Sequence, residues 1–528
     1  MDTKALRQKV LDLAIRGKLV PQDPNDEPAS VLLARIRQQK QQMVKEGKLK
    51  AKDIKNDTII FVGEDNLHYE KFADGSVKCI EDEIPFDLPD GWAWSKIGPL
   101  CEYITSGSRG WAQYYSETGI LFLRMGNLSR DSFDLRLDNL QRVNLPDNAE
   151  GTRTRVTEND LLFSITAEIG MLGLIPANFE EAYINQHVGL IRFLKDAQTK
   201  FFPYILMSEF CRDQYYTVQC GMKNSFRLDN IQNILAPVPP LGEQIRIAEK
   251  LSNIWTHIQQ IDIESEAASD IISKAKSKIL DLAIRGQLVP QDPDDEPASV
   301  LLERIRAEKE ELIKQGKLKR DKKESVIFRG EDNSYYEKMA DGKLHCLDDQ
   351  LPFELPDGWE WCNLSMIGTT NIGLTYRPTD IEPGGIMVLR SCNIVNDQVD
   401  LNDLVRVKTT VRENQFAQKN DILICARNGS RSLVGKCALI PDLGEPASFG
   451  AFMAIYRTEY FEFIVHYLRS SFFRSVFDDS NSTAINQLTQ DMLKRAIVPL
   501  PPLSEQRRIV EAIGAMLFEL NQIEKSLS

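Results

Sequence analysis

LDLAIRGKLVPQDPNDEPASVLLARIR (Leu11 to Arg37) returns as LDLAIRGQLVPQDPDDEPASVLLERIR (Leu280 to Arg306), an offset of 269 residues. A stretch of that length does not recur by chance, so the chain is built from an internal repeat. The match continues through EGKLK and QGKLK, then FVGEDN and FRGEDN, to IPFDLPDGWAW and LPFELPDGWEW. There Trp92 faces Trp359 at an offset of 267, and a two-residue loop deletion accounts for the change. A third block pairs PVPPLGEQIRI from Pro237 with PLPPLSEQRRI from Pro499, at an offset of 262.

The third block opens a helical pattern. Ile247, Leu251, Ile254, Ile258, Ile261, Ala268, Ile272, Ala275, Ile279 and Leu282 follow steps of four and three, broken only at Ser265. This is an a/d heptad seam, and Pro290 is expected to end it. The same frame reappears as Ile509, Ile513, Met516, Leu520, Ile523 and Leu527. By the offsets Ser528 corresponds to position 266 and Met1 to position 270, so joining the termini restores the central helix less three residues. The chain reads as a cyclic two-fold repeat opened inside one of two long helices. The N-terminal helix, about Lys4 to Ile15, is expected to stack on the C-terminal one, forming a composite arm antiparallel to the continuous arm 243–289.

Between the repeated blocks lie two segments, 95–236 and 362–498, that have diverged yet keep a common skeleton. GILFLRMGNL from Gly119 matches GIMVLRSCNI from Gly385, and ENDLLFS from Glu158 matches KNDILIC from Lys419. Short apolar runs bounded by Asn-Asp or Gly read as strands with tight turns, and LGLIP at Leu172 and CALIP at Cys437 supply the returning strand of a hairpin. The loops between differ completely, Thr166 to Met171 against Arg427 to Arg431. The fold class is therefore α+β: two mixed α/β lobes separated by two long antiparallel helices in a coiled coil, with pseudo-two-fold cyclic symmetry. The segments are 1–20, a helix completing the C-terminal arm; 21–94, a helix and β insert; 95–236, the first lobe; 237–289, the central helix; 290–361, the second insert; 362–498, the second lobe; and 499–528, the C-terminal helix.

With its PPLxEQ blocks, central helix and AIRGxLVPQDPxDEPA repeats, the chain resembles the specificity subunit of type I restriction-modification systems along essentially all its length. The resemblance implies that each lobe is a target-recognition domain reading one half of a split, asymmetric site in double-stranded DNA, with the helices as a ruler between half-sites. It implies two methyltransferase subunits using S-adenosylmethionine and two translocase-nuclease subunits using ATP and Mg, with no cofactor on this chain. The competing reading is a pseudo-symmetric scaffold that joins two identical proteins and binds no DNA.

Side chains that agree between two lobes reading different words should be structural or touch phosphate, whereas disagreeing polar ones should carry base specificity. Arg124 and Arg390, Asn127 and Asn393, and Arg192 and Arg457 agree. The disagreeing candidates are Ser108, Arg109, Gln186, His187, Lys223 and Arg227 in the first lobe, and Arg377, Arg427, Asn428, Arg431, Asn486 and Gln487 in the second. Arginine forks suit guanine O6/N7, and Asn or Gln amides suit adenine N6/N7. INQHV (from Ile184) resembles a motif of the family's recognition domains, but its counterpart FGAFM lacks the polar group. In each insert Asp26 or Asp295 is expected to cap a helix that starts near Pro28 or Pro297 and runs to Gly47 or Gly316. Because the insert occurs twice, it is expected to dock identical partners.

The chain's 528 residues suit three or four domains at roughly 150 residues each. Its net charge of −13, with 13 Lys/Arg against 16 Asp/Glu in 100–235 and 14 against 14 in 362–498, leaves neither lobe a basic patch, so partners are expected to neutralise much of the phosphate. Nine scattered cysteines without a CxxC pair suit reduced thiols in the cytoplasm. No signal peptide or run of about 18 apolar residues points to export or a membrane. No Asn/Asp-Pro-Pro-aromatic motif, no E-x-K after a Pro-Asp pair, no GxxxxGK[ST] and no His/Cys cluster at metal spacing is present, which argues against a catalytic or metal centre.

Overall fold

The computed structural model describes residues 2–146, 154–217, 226–316, 320, 325–478 and 487–527. The chain forms two compact units, Met1–Glu264 and Ser265–Ser528, and the boundary falls within a long helix, Leu241–Ile284.

In the first unit the N-terminal helix Thr3–Ile15 starts where Asp2 Oδ1 accepts the Ala5 N–H at 2.9 Å. It stops at Gly17, whose φ of 63° lets the Gly17 N–H reach Ala14 O and the Lys18 N–H reach Leu13 O, a Schellman ending. A Cβ on Gly17 would stand 2.5 Å from Pro89 Cγ, so the AIRG motif needs its glycine for space as well as conformation. This helix lies antiparallel to the first half of the long helix. Arg7 Nη2 pairs with Asp262 Oδ2 at 2.6 Å near one end, and Gly17 abuts Trp92, whose Nε1–H donates to Glu243 Oε2 at 2.9 Å, at the other. Val10, Leu11 and Ala14 share a core with Ile247, Leu251 and Trp255.

The second unit repeats the arrangement with the long helix's later half and the C-terminal helix Leu503–Leu527: Lys276 Nζ meets Glu524 at 2.6 Å, Trp359 Nε1–H donates to Glu505 Oε2 at 3.0 Å, and Leu280, Ala283 and Ile284 pack with Ile509 and Ile513. The heptad seam is buried at Ile247, Leu251, Ile258 and Ile272 and half-buried at Ile261, Ala268 and Ala275. The long helix ends at Ile284, short of the expected Pro290. Gly286, at φ 67°, terminates it first with bonds from Gly286 N to Ala283 O and from Gln287 N to Leu282 O.

The insert helices run Ala29–Lys45 and Ala298–Lys314. Asp26 and Asp295 do not cap them, contrary to the sequence expectation; Pro28 and Pro297 occupy the N-cap positions. The aspartates pair instead with Arg246 and Arg508, at 2.6 and 2.7 Å, in the GEQIR and SEQRR blocks. A charge-assisted bond to a fixed guanidinium outcompetes a cap. Each helix is followed by a three-stranded antiparallel sheet, Ile59–Val62, His68–Lys71 and Val77–Cys79 in one copy and Ser325–Arg329, Tyr335–Met339 and Leu344–Cys346 in the other.

Each lobe has two sheets. In the first, the strand order Leu172–Leu174, Leu161–Ser164, Val188–Phe193, Cys101–Ser106 is antiparallel, and beside it Ala182–Ile184 runs parallel to Ile120–Leu123, which pairs with Arg142–Val143. The second lobe repeats both patterns. Cys437–Leu439, Ile422–Cys425, Met453–Arg457 and Thr369–Ile372 lie in one sheet, and Ala447–Phe449 runs parallel to Ile381–Leu389, which pairs with Val405–Val407, in the other. LLFS and ILIC are buried at every residue, as central strands covered on both faces must be. Among the described residues no helix is long and apolar enough to cross a membrane.

Candidate nucleic-acid interface

The repeated Asn-Asp of ENDLLFS and KNDILIC starts the central strand of each lobe. Asn159 and Asn420 take the left-handed conformation, at φ 65° and 69°, which asparagine tolerates in a turn. The following aspartates are buried, and each accepts two bonds from one guanidinium: Arg192 on Asp160 at 2.7 and 2.6 Å, Arg457 on Asp421 at 2.6 and 2.7 Å. Each arginine stands on the neighbouring strand, so the pair pins two strands at one end.

At the opposite end of those strands the chain turns through a set of backbone bonds that the lobes share. The Ile165 N–H reaches His187 O at 3.0 Å, and Ala426 reaches Phe452 O at 2.9 Å. Phe226 donates to Ile165 O and Leu488 to Ala426 O. Gly107 donates to Val188 O and Gly373 to Met453 O, while Asn185 donates to Leu123 O and Gly450 to Leu389 O. Gly107 and Gly373 lie flat on the next segment, for a Cβ would come within 2.0 Å of Asn185 O or 2.2 Å of Gly450 O.

On this common frame the side chains differ. Where the first lobe carries Ser108, Thr166, Gln186 and His187, the second carries Leu374, Arg427, Ala451 and Phe452. Thr166 Oγ1 lies 2.9 Å from His187 Nδ1, and Gln186 Nε2 lies 3.1 Å from His187 Nε2. In the second lobe the Arg427 guanidinium sits over the Phe452 ring, 5.6 Å from its centroid. A cleft of about 890 Å³ opens there, lined by Tyr376, Arg390, Ser391, Arg427, Asn428 and Phe452 among others, with two arginines and no carboxylate among the described residues that line it.

Ser108, Gln186 and His187 thus meet at one edge, with Ser108 Oγ 3.4 Å from Thr154 Oγ1; Arg109 is exposed next to Ser108, and exposed Arg227 follows Phe226, whose N–H reaches Ile165 O. Arg390, Arg427 and Asn428 line the second cleft, and exposed Arg377 falls between its lining residues Tyr376 and Pro378. Gln487 bridges to Arg427, and exposed Arg431 begins the short turn Arg431–Leu433. Lys223 and Asn486 lie outside the described residues.

Asn127 and Asn393 are 2% and 1% exposed and cannot reach a ligand. Each accepts the N–H of Arg124 or Arg390 and donates to two carbonyls, Arg136 O and Asn139 O or Asp400 O and Asp403 O, closing a loop. Arg124 and Arg390 reach over the same loops, to Asn139 Oδ1 at 3.3 Å and Asp403 Oδ2 at 3.0 Å. Sequence comparison passes over Thr166 and Phe452. Their partners stand 21 and 25 residues away in the chain, so only the folded frame brings each pair together.

The repeated blocks also find their partners. Glu243 and Glu505 accept the indole N–H of Trp92 and Trp359, Gln244 and Gln506 donate to Pro239 O and Pro501 O, and burial raises both glutamates above the ordinary carboxylate range. Among the described residues no group of three His, Cys, Asp or Glu side chains could hold a metal ion.

A family model described as "Type I restriction modification DNA specificity domain" matches residues 89–268 and again 356–527. The chain is 28% identical to the type I restriction enzyme EcoAI specificity subunit of Escherichia coli over 99% of its own length and 90% of that protein's. To the EcoEI specificity subunit, also of Escherichia coli, it is 24% identical over the same shares. A solved chain from work on complex assembly and conformational transition of the type I R-M system covers 84% of this chain and 94% of its own, with a TM-score of 0.53 at 16% identity, a likeness of fold. With two copies of the domain that together span most of its length, the chain belongs to the type I restriction-modification DNA specificity family.

Proposed function

We propose that the chain is the non-catalytic DNA-reading subunit of a cytoplasmic type I restriction-modification complex, each lobe reading one half of a bipartite, asymmetric duplex target. The observation that carries this reading is the shared backbone frame with exchanged side chains: Thr166, Gln186 and His187 in one lobe, Arg427, Ala451 and Phe452 at the same places in the other. Two readers of different words need that arrangement, and a scaffold joining two identical proteins gains nothing from it. Arg427 on the cleft wall supplies local positive charge despite the chain's net charge of −13, with no carboxylate among the described residues that line the cleft.

In this reading two methyltransferase subunits bring S-adenosylmethionine, two translocase-nuclease subunits bring ATP and Mg, and this chain binds none of these. One methyltransferase docks on each insert, where Val31 and Val300, and Phe61 and Phe328, stand exposed at matching positions. The test is to map methylated adenines in cells that carry the subunit and its methyltransferase, and to weigh the complex. A bipartite motif is expected, with loss of one methyltransferase for each of Val31→Glu and Val300→Glu. A complex without sequence preference refutes the DNA reading, and full assembly of the double variant refutes the docking site.

A further inference from the structure

At the edge described above, each lobe presents one polar side chain held by another. In the first lobe an imidazole carrying its proton on Nδ1 satisfies both of its neighbours, donating to Thr166 Oγ1 and accepting from Gln186 Nε2. Gln186 is exposed and keeps its Oε1 and its second N–H for a ligand, and that pair is complementary to adenine N6 and N7. Ala451 stands at the Gln186 position of the second lobe and offers no polar group. There Phe452, 61% exposed, takes the place of His187, and Arg427 takes the place of Thr166. An aromatic face holds a guanidinium without consuming its N–H donors, so the Arg427 fork remains available for guanine O6 and N7.

We infer that Thr166, His187 and Phe452 are positioning residues for base readout: Thr166 and His187 hold Gln186 against an adenine of the first half-site, and Phe452 holds Arg427 against a guanine of the second. The inference rests on the DNA reading proposed above and adds the bases and the supports. Each support sets discrimination at one base pair and contributes little to binding of random duplex, because an unsupported Gln or Arg still finds polar groups but no longer one geometry.

The experiment uses the complex with its methyltransferase, the target obtained from the methylation map, every single-base variant of that target, and a random duplex. Thr166→Val keeps the shape and removes the hydroxyl. His187→Ala removes the link, Phe452→Ala truncates an exposed ring, and Phe452→Tyr keeps the aromatic face. Thr166→Val and His187→Ala should each lower discrimination at one A·T pair of one half-site by about 5-fold or more. Random-duplex affinity and the other half-site should stay unchanged. Phe452→Ala should do the same at one G·C pair of the other half-site, and Phe452→Tyr should retain wild-type discrimination. Unchanged discrimination at every position, equal loss on all duplexes, or a change in both half-sites overturns the inference. A wild-type complex with no preferred duplex overturns the DNA reading and this inference together, whereas a clear bipartite target untouched by all four variants overturns this inference alone.

Discussion

Replacing Asp421 with asparagine removes the charge that two bonds from Arg457 share, and the structure sets what that should cost. Asp421 is 2% exposed and also accepts the Gln418 N–H at 2.8 Å, a bond asparagine can keep. Removing one partner of a buried ion pair costs about 3–5 kcal/mol because the other charge stays uncompensated. The Arg457 side chain is 32% exposed and can partly rehydrate, which places Asp421→Asn at the low end, about 3 kcal/mol. The equivalent Asp160→Asn should cost more, since Arg192 is only 18% exposed. The pinned strands pair Ile422 with Tyr456 at the ion-pair end and Cys425 with Met453 at the reading end. Native-state hydrogen exchange of 422–425 and 453–457 should therefore accelerate by about two orders of magnitude, at 1.36 kcal/mol per decade. Strands 161–164 and 188–193 of the other unit serve as the control. The methylated motif should not change, because the ion pair lies at the far end of the strands from Arg427. Protection falling by less than about tenfold, or an altered motif with intact protection, refutes the assignment of this pair to scaffold rather than readout.

Gly17→Ala and Gly286→Ala each force a Cβ to 2.5 Å from a proline Cγ at a left-handed φ, and each should destabilise its unit by at least about 1–2 kcal/mol, read as a lowered urea midpoint. Glu243→Gln keeps an oxygen for the Trp92 N–H and removes a carboxylate whose folded pKa burial raises. A raised carboxyl favours the fold below its unfolded pKa and loses that contribution as pH climbs through the folded value, so the variant should gain stability over the parent at neutral pH and lose the advantage in acid. The specificity subunit alone should bind duplex DNA with a shallow dependence on salt, and the slope of log K against log salt should steepen once methyltransferase is added. An equal slope for both forms, measured by fluorescence anisotropy, counts against partner-supplied phosphate neutralisation.

The architecture was legible because it is repetitive: self-similarity at an offset of 269 residues and a four-three seam need no coordinates to be seen. The long helix was misjudged at its end, since a left-handed Gly286 and a proline at 290 are both stop signals and the nearer one acts first. Asp26 and Asp295 looked like caps because their true partners, Arg246 and Arg508, lie 220 and 213 residues away. At the reading edge, agreement between lobes marked Asn127 and Asn393 correctly as shared features but could not tell a buried loop clamp from a phosphate contact. Their four carbonyl partners settle that. Phe452 escaped notice because an apolar residue in a polar motif reads as a loss of function, and its role as a platform for Arg427 exists only in three dimensions.

Net charge misleads here for a related reason. Several of the lobes' carboxylates are paired with arginines away from the reading edge: Glu180 with Arg142, Glu445 with Arg406, and Asp160 and Asp421 with the arginines that pin the strands. A carboxylate paired at 2.6–2.8 Å subtracts little from the potential at a distant cleft, whereas Arg427, over the Phe452 ring, acts on that cleft at contact distance; Arg390 is itself paired with Asp403 at 3.0 Å and adds less. A lobe with 14 basic and 14 acidic residues can therefore present a locally positive wall to a phosphate backbone. What it lacks is the long-range attraction of a basic domain, in keeping with the proposal that partner subunits supply much of the phosphate neutralisation.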